Sequence, residues 1–161
     1  MTRILSIDPG INTGWCQMEA NDISNGLCHG VVTFDKENVA QRLRSARWWL
    51  MHMFVDYKPD VVLIEKPPAI HRNAVALLVM FDDLVKTMGD CDVNLVTMAP
   101  QTWRSYIGVR KKKDEDIKDA VRRTITSKLD FHSMGEYISH DALDAIGMAL
   151  GYNNKYEDMV V

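Results

Sequence analysis

The segment "ILSIDPGINTGW", from Ile4 to Trp15, combines an apolar strand, an acid at the tip of that strand and an immediate glycine turn. The run Ile4–Asp8 is typical of a fully buried strand, and Pro9-Gly10 ends it. A charged carboxylate in such a position is costly unless a cation lies beside it. Asp8 is therefore the first candidate for a functional side chain, and the rest of the sequence must supply what surrounds it.

The hydrophobic patterns along the chain predict a mixed α/β fold. Strands are predicted at Ile4–Asp8, Trp15–Glu19, Gly30–Phe34, Val61–Glu65 and Val93–Met98. Helices are predicted at roughly Lys36–Tyr57, Asn73–Met88, Pro100–Ile107, Ile117–Leu129 and Ser139–Tyr152. Short links between the first three strands indicate an antiparallel meander, and the continuous apolar run "VVLIE" indicates a central parallel strand. We expect a five-stranded mixed sheet with helices on both faces, as one domain over 1–153 with a short polar tail at 154–161.

Composition limits the class of protein. The chain has 161 residues, of which 47% are hydrophobic and 25% charged, which suits one globular domain. No apolar run approaches the roughly 20 residues that a membrane span needs, and the N-terminal residues do not form a signal-peptide pattern. The three cysteines are scattered and form no CxxC pair, which favours a reducing cytoplasm and excludes a thiolate zinc site.

Charge is distributed unevenly along the chain. The net charge of −3, taken alone, argues against a nucleic-acid-binding protein. Residues 103–128, however, hold nine Lys or Arg and four Asp or Glu, a net charge of +5 that leaves −8 for the remainder. This basic segment is either a solvated helix face or a surface for phosphate groups, and Arg122 and Arg123 belong to it.

Three further acids repeat the pattern of Asp8. Glu65 ends the run "VVLIE" in the same way, so that both carboxylates would lie at one sheet edge if the two strands are parallel neighbours. Asp141 and Asp144, in "HDALDAIGMAL", are three residues apart and share one face of a helix with small residues suited to close packing. Each acid alone could have a structural role as a turn cap, an ion-pair partner or an exposed helix residue. Taken together, the acids at two strand ends and the pair on one helix face predict a single site that is lined by four carboxylates.

Four carboxylates in one crevice would repel one another and take up protons. Bound divalent cations remove this difficulty, and a ligand set of oxygen atoms suits Mg²⁺ or Mn²⁺. Two such ions form the clamp that is used for in-line displacement at phosphorus. The acids Asp8, Glu65, Asp141 and Asp144 therefore predict a two-metal phosphodiester hydrolase.

The segments "ILSIDPGINTGW", "VVLIE", "MAPQTWR" with the basic loop after it, and "SHDALDAIGMAL" span nearly the whole chain. In this order they resemble RuvC-type Holliday junction resolvases of phages and bacteria, in the ribonuclease-H-like superfamily. The resemblance implies a homodimer, in a bacterial or phage-infected cytoplasm, that binds four-way DNA junctions and nicks two opposed strands symmetrically. It also implies that the four acids are metal ligands and that the helix Asn73–Met88 forms the dimer interface.

The resemblance also implies a set of basic residues near the scissile phosphates. Arg104 and one of Lys111, Lys112 and Lys113 match positions where the family carries such residues, and the loop length leaves open which lysine is meant. Neighbouring residues with the same predicted role in DNA binding are Arg110 and Lys118. His140 is either an assisting base or a structural residue at a helix N-terminus. Trp103 is predicted to pack rather than to stack on a base.

Other functions remain open at the level of sequence. Many family members have an aromatic residue after the acid that corresponds to Glu65, whereas this chain reads Lys66-Pro67-Pro68-Ala69. A less selective nuclease acting on flaps or RNA–DNA hybrids is one alternative, and a binding module without activity is another. "DPGINT" also fits loosely an actin-like or sugar-kinase-like ATP-binding protein, although those proteins duplicate the fold. The apolar helix Asn73–Met88 favours the paired, junction-cutting enzyme.

Overall fold

The computed structural model of the chain describes residues 2–22, 27–67, 74–91, 93–129 and 138–157. The strands are β1 (Arg3–Asp8), β2 (Asn12–Glu19), β3 (Cys28–Thr33), β4 (Val61–Glu65) and β5 (Asn94–Met98). The helices are α1 (Val39–Tyr57), α2 (Ala74–Gly89), α3 (Pro100–Tyr106), α4 (Ile117–Lys128) and α5 (His140–Glu157). Pro68, Ala69, Asn73 and residues 158–161 of the predicted tail, all named above, lie outside the described residues.

The five strands form one mixed sheet in the order β3-β2-β1-β4-β5. β2 pairs antiparallel with both β1 and β3, whereas β4 pairs in parallel with both β1 and β5. The predicted antiparallel meander followed by parallel strands is thus confirmed. The carboxyl ends of β1, β4 and β5 lie at the same edge of the sheet, which is the usual position of a ligand crevice in α/β folds.

Helices cover both faces of the sheet because side chains alternate along each buried strand. Leu5 and Ile7 of β1 belong to the cluster that α1 and α2 cover, together with residues such as Leu50 and Leu84. Ile4 belongs to the opposite cluster, which α3, α4 and α5 cover. A strand that is buried on both sides explains why β1 and β4 read as continuous apolar runs.

Helix α1 begins three residues later than predicted because a polar cap sets its start. The side chain of Asn38 accepts a hydrogen bond from the backbone N–H of Gln41 at 2.9 Å. Asp35 in turn accepts bonds from the backbone N–H groups of Glu37 and Asn38. These turn contacts hold residues 35–38 outside the helix, as is typical of Asn and Asp at a helix N-terminus.

Helix α5 lies close to the sheet and runs further than predicted. The hydroxyl of Ser6 in β1 donates a hydrogen bond of 2.7 Å to the carbonyl of Ala145, which ties the two elements together. The helix continues to Glu157, so residues 154–157 of the predicted polar tail are helical. Asn154 donates to the carbonyl of Tyr106, and the ammonium of Lys155 lies 5.4 Å from the Tyr106 ring centre, which anchors this last turn. Among the described helices, none combines the length and the hydropathy required to cross a bilayer.

Candidate active site

Asp8 and Glu65 lie side by side where the two central parallel strands end. β1 and β4 pair up to Ile7 and Ile64, and each acid is the next residue along its strand. Alternation places both side chains on the face that α5 covers, the same face from which Ser6 bonds α5. Glu65 is only 8% exposed, and Asp8 is partly buried. The neighbouring position of these two acids agrees with the sequence prediction.

A glycine in β2 brings the other two acids to this edge. Gly14 is paired with Asp8 in the sheet. A Cβ atom at Gly14 would lie 1.9 Å from the carbonyl oxygen of Asp141 and 2.3 Å from its carbonyl carbon. The first turn of α5 therefore contacts the β2 backbone directly, beside Asp8, with Asp144 one turn further along the helix. Gly14 lies within the opening motif, but the sequence pattern did not predict its contact with α5.

Burial and mutual repulsion raise the pKa values of three of these carboxyl groups. The pKa of Asp8 lies well above its ordinary value, first because the group is desolvated and then because the other three acids repel its charge. Desolvation is also the main reason that the pKa of Glu65 is raised to about 7. The pKa of Asp144 is raised for the same reason. The four acids are thus close enough to interact, and the charged forms are disfavoured without a compensating cation.

Three of the predicted basic residues act on these acids. Arg104 lowers the pKa values of Asp8, Glu65 and Asp144, and Lys118 and His140 each lower that of Asp144. The Nε atom of Arg104 is buried and has no hydrogen-bond partner among the described residues. Its guanidinium group therefore retains a free donor beside the carboxylates.

Four more of the predicted basic residues lie in the exposed loop between α3 and α4. They are Arg110, Lys111, Lys112 and Lys113. Glu115 fixes this loop, because its carboxylate accepts hydrogen bonds from the backbone N–H of Lys112 at 2.8 Å and from the Arg123 guanidinium at 2.9 Å. Arg123 also donates to the carbonyl of Arg110. The lysine side chains are left exposed.

The side chains of Arg122 and Arg123 form hydrogen bonds within the protein, which differs from the predicted role on an open surface for phosphate groups. Arg123 forms the ion pair with Glu115, which holds the pKa of that acid at about 2. Arg122 donates from Nη2 to the carbonyl of Ile138, just before α5. Both side chains were predicted to belong to the basic face, because the sequence shows their charge but does not show these hydrogen-bond partners.

Trp103 is fully buried, so its predicted packing role is confirmed. Its indole Nε1 also donates a hydrogen bond of 2.6 Å to Oε2 of Glu65, a contact that the sequence did not predict. The two residues are 38 positions apart and belong to different elements. No local pattern could therefore have indicated this bond.

The chemistry of the acids suits a hard divalent cation. The donor atoms are carboxylate oxygens, which Mg²⁺ and Mn²⁺ prefer, and the raised pKa values are those expected where a cation would relieve repulsion. Within the described residues, no three His, Cys, Asp or Glu side chains already lie close enough together to hold a metal ion. The donor set fits, and the ligand shell is not closed by the protein alone.

A cavity of about 440 Å³ lies apart from the acids, between α1 and the end of β3. Its lining includes the aromatic side chains of Phe34, Trp48 and Trp49, and the cation Arg44. The cavity has no acidic lining residue and lies on the opposite face of the sheet from Asp8. The candidate active site is therefore the acidic edge rather than this cavity.

Comparisons with known proteins give a significant sequence match and several structural matches. A segment of 82 residues is 32% identical to the crossover junction endodeoxyribonuclease RuvC of Cereibacter sphaeroides (strain ATCC 17029 / ATH 2.4.9). The aligned part covers 47% of this chain and 46% of that relative, so the chain spans less than half of the curated relative in this match. No family model matches the chain.

The structural matches cover almost the whole chain. The Thermus thermophilus RuvC structure aligns with a TM-score of 0.76 at 16% identity, over 99% of this chain and 97% of that one. T. thermophilus RuvC in complex with its Holliday junction substrate aligns with a TM-score of 0.73 at 17% identity, over 99% and 96%. The yeast mitochondrial Holliday junction resolvase Ydc2 aligns with a TM-score of 0.72 at 15% identity, over 99% and 82%.

The structural matches show the fold class of the protein. The five-stranded mixed sheet with helices on both faces is a ribonuclease-H-like fold, as the sequence predicted. Within that class, the chain resembles RuvC-type Holliday junction resolvases, because the sequence match and the structural matches lead to the same group.

Proposed function

We propose that this protein is a metal-dependent endonuclease that resolves four-way DNA junctions by paired, symmetric nicks. The observation that carries the proposal is the cluster of Asp8, Glu65, Asp141 and Asp144 at one edge of a ribonuclease-H-like sheet, in which burial and neighbouring charges raise the pKa values of Asp8, Glu65 and Asp144. The resemblance to RuvC supplies the substrate class, since T. thermophilus RuvC is bound to a Holliday junction substrate in the structure that aligns with this chain.

The four acids would hold two Mg²⁺ or Mn²⁺ ions. When bound, such ions activate water and stabilise charge on the leaving oxygen during phosphodiester hydrolysis. The protein contributes carboxylates that are already desolvated and repelling, so that binding a cation relieves an existing cost. Glu65 keeps its Oε1 atom for this purpose, because the Trp103 bond engages Oε2.

The basic residues divide into two groups by whether they lower the pKa values of the acids. Arg104 lies beside the carboxylates with a free buried donor, which suits contact with the scissile phosphate. Lys118 and His140 act electrostatically on Asp144, so both lie near the reacting edge, and His140 would assist proton transfer there. Arg110, Lys111, Lys112 and Lys113 lie further out on an ordered loop and would hold the DNA backbone without reading sequence.

The symmetric reaction needs two active sites, and the outer face of α1 and α2 supports a homodimer. Leu78 and Val79 of α2 are 40% and 42% exposed, and Trp48 and Val55 of α1 are each 66% exposed. Arg47 and Asp83 form an ion pair that joins the two helices. Exposed apolar side chains on two joined helices support an interface, and they extend the proposed interface from α2 onto α1.

An endonuclease assay tests the proposed function. Four-way junctions, flaps, linear duplexes and RNA–DNA hybrids are incubated with the protein in Mg²⁺, in Mn²⁺ and in chelator. We expect paired nicks in the four-way junction, loss of cutting in chelator, and loss of cutting in Asp8→Asn with junction binding retained. Cutting of hybrids or flaps alone would refute the junction assignment, and ATP hydrolysis without nicking would refute the nuclease.

A further inference from the structure

Trp103 joins strand β4 to helix α5 directly beneath the acids. It is the fourth residue of α3 and is fully buried. Its indole Nε1 donates to Oε2 of Glu65 at 2.6 Å, a short bond between a neutral donor and a carboxyl group. An indole has only this one donor, so the whole hydrogen-bonding capacity of the side chain is directed at Glu65.

Helix α5 is shaped to receive the indole ring. A Cβ atom at Gly147 would lie 2.5 Å from Cζ3 and 3.0 Å from Cε3 of Trp103. A Cβ atom at Gly151 would lie 3.0 Å from the Trp103 carbonyl oxygen. Gly147 follows Asp144 by three residues and therefore lies on the same side of the helix. The ring thus contacts α5 one turn beyond an acid of the site.

These contacts make the indole a spacer with two fixed ends. One end is bonded to the Glu65 carboxyl group, and the other rests on the helix backbone next to Asp144. Arg104 adds a further constraint, since its guanidinium carbon lies 5.1 Å from the centre of the Trp103 ring. An apolar ring of the same size could fill this space equally well. The Nε1–H group, in contrast, bonds one oxygen of Glu65, Oε2, and leaves Oε1 available for a cation.

We propose that Trp103 is a positioning residue that fixes the orientation of the Glu65 carboxylate and its separation from Asp144. The inference rests on the proposed function in one respect only, namely that these acids hold a divalent cation. Groups that orient a metal ligand in this way change metal affinity or activity by about 10- to 100-fold when they are removed.

The first test compares Trp103→Phe with the matched control Trp49→Phe, which alters a tryptophan on the opposite face of the sheet. Calorimetric titration with Mn²⁺ should give a Kd about tenfold higher for Trp103→Phe and an unchanged Kd for Trp49→Phe. In junction cleavage, kcat should fall while the KM for the junction stays the same. An Mn²⁺ Kd within twofold of wild type in folded Trp103→Phe would overturn the proposal.

A second pair of variants moves the ring without removing it. Gly147→Ala places a methyl group against Trp103, whereas Gly89→Ala adds one where no atom lies within 4 Å. We expect weaker Mn²⁺ binding only for Gly147→Ala. Equal Mn²⁺ affinity of the two folded variants would contradict the spacer role.

A third measurement uses the unmodified ring and stays decisive if a variant does not fold. In ¹⁵N-labelled protein without metal, the indole N–H signal of Trp103 should shift in Glu65→Gln and again when Mg²⁺ is added to wild type. A signal that is indifferent to both changes would overturn the proposal.

Failure of this inference and failure of the proposed function give different results. Wild-type protein that leaves junctions uncut, yet binds Mn²⁺ more weakly after Trp103→Phe, would refute the activity and support the role of Trp103. Protein that cuts junctions and retains both its rate and its Mn²⁺ affinity in Trp103→Phe would support the activity and refute the positioning role.

Discussion

The close approach of α5 to strand β2 depends on the missing side chain of Gly14. Its α-carbon is paired with Asp8 on one side and faces the backbone of Asp141 on the other. A carbonyl group within 1.9 Å of a Cβ position leaves no room for any other residue type. The spacing between Asp8 and Asp141 therefore depends on the absence of a side chain at Gly14.

We predict that Gly14→Ala will move the start of α5 and separate the acids. A displacement of about 1 Å at a reacting centre costs roughly 100-fold in rate, and overpacking of this kind costs about 1–3 kcal/mol of stability. Single-turnover nicking of a four-way junction measures the first effect, and denaturant unfolding measures the second. Gly89→Ala is the control, and a nicking rate for Gly14→Ala within twofold of wild type would contradict the prediction.

At the scale of elements, α1 and α2 form one layer whose outer surface carries several exposed apolar side chains. Their inner residues, such as Leu50 and Leu84, are fully buried against the sheet. Their outer residues include Trp48 and Leu78, which remain exposed in the single chain. Large apolar side chains that stay exposed on the outer side of a layer favour a partner that covers them.

We predict that Leu78→Glu will weaken the proposed homodimer, because a charge placed in an apolar interface must be desolvated without a partner. Light scattering on a sizing column should show a dimer for wild type and a monomer for the variant at the same concentration. Ile117→Glu is the matched control, since Ile117 is another exposed apolar residue and lies on α4, over the opposite face of the sheet. A monomeric wild type, or an equal shift for both variants, would contradict the prediction.

At the scale of the whole molecule, the acidic site opposes folding when no cation is present. Burial raises the pKa of Glu65 to about 7, so the folded protein binds more protons than the unfolded chain between about pH 4.5 and 7. The free energy of unfolding must then fall as the pH rises through this range. The raised pKa values of Asp8 and Asp144 act in the same direction. The lowered pKa of Glu115, at about 2, has its effect only below pH 4.5.

We predict that the metal-free protein will be less stable at pH 7.5 than at pH 5, with Glu65 contributing up to about 3 kcal/mol. Urea unfolding in chelator at the two pH values measures the difference, and Mg²⁺ at pH 7.5 should restore most of it. In Glu65→Gln the pH dependence should be smaller. Stability that is constant or increases from pH 5 to pH 7.5 in wild type would show that the acids are not held in this repelling arrangement.

Much of the fold and part of the site could be predicted because local patterns encode them. The apolar runs of β1 and β4 predict buried strands, and an acid at the end of each run predicts its place at the sheet edge. The spacing of Asp141 and Asp144 places them on one helix face regardless of where the helix packs. The boundary of α5 was predicted too early, because contacts with Tyr106, far away in the sequence, stabilise its last turn.

The sequence by itself determined the strands, the helices and the four acids of the candidate site, because periodicity and composition act over a few neighbouring residues. Only the tertiary structure decided that Gly14 admits the backbone of Asp141, that Trp103 bonds Glu65, and that Arg123 stabilises its own loop. The first two contacts join residues from distant parts of the chain, and the third depends on how α4 packs against the loop. Such contacts depend on exact packing distances, which a linear pattern of residue types does not contain.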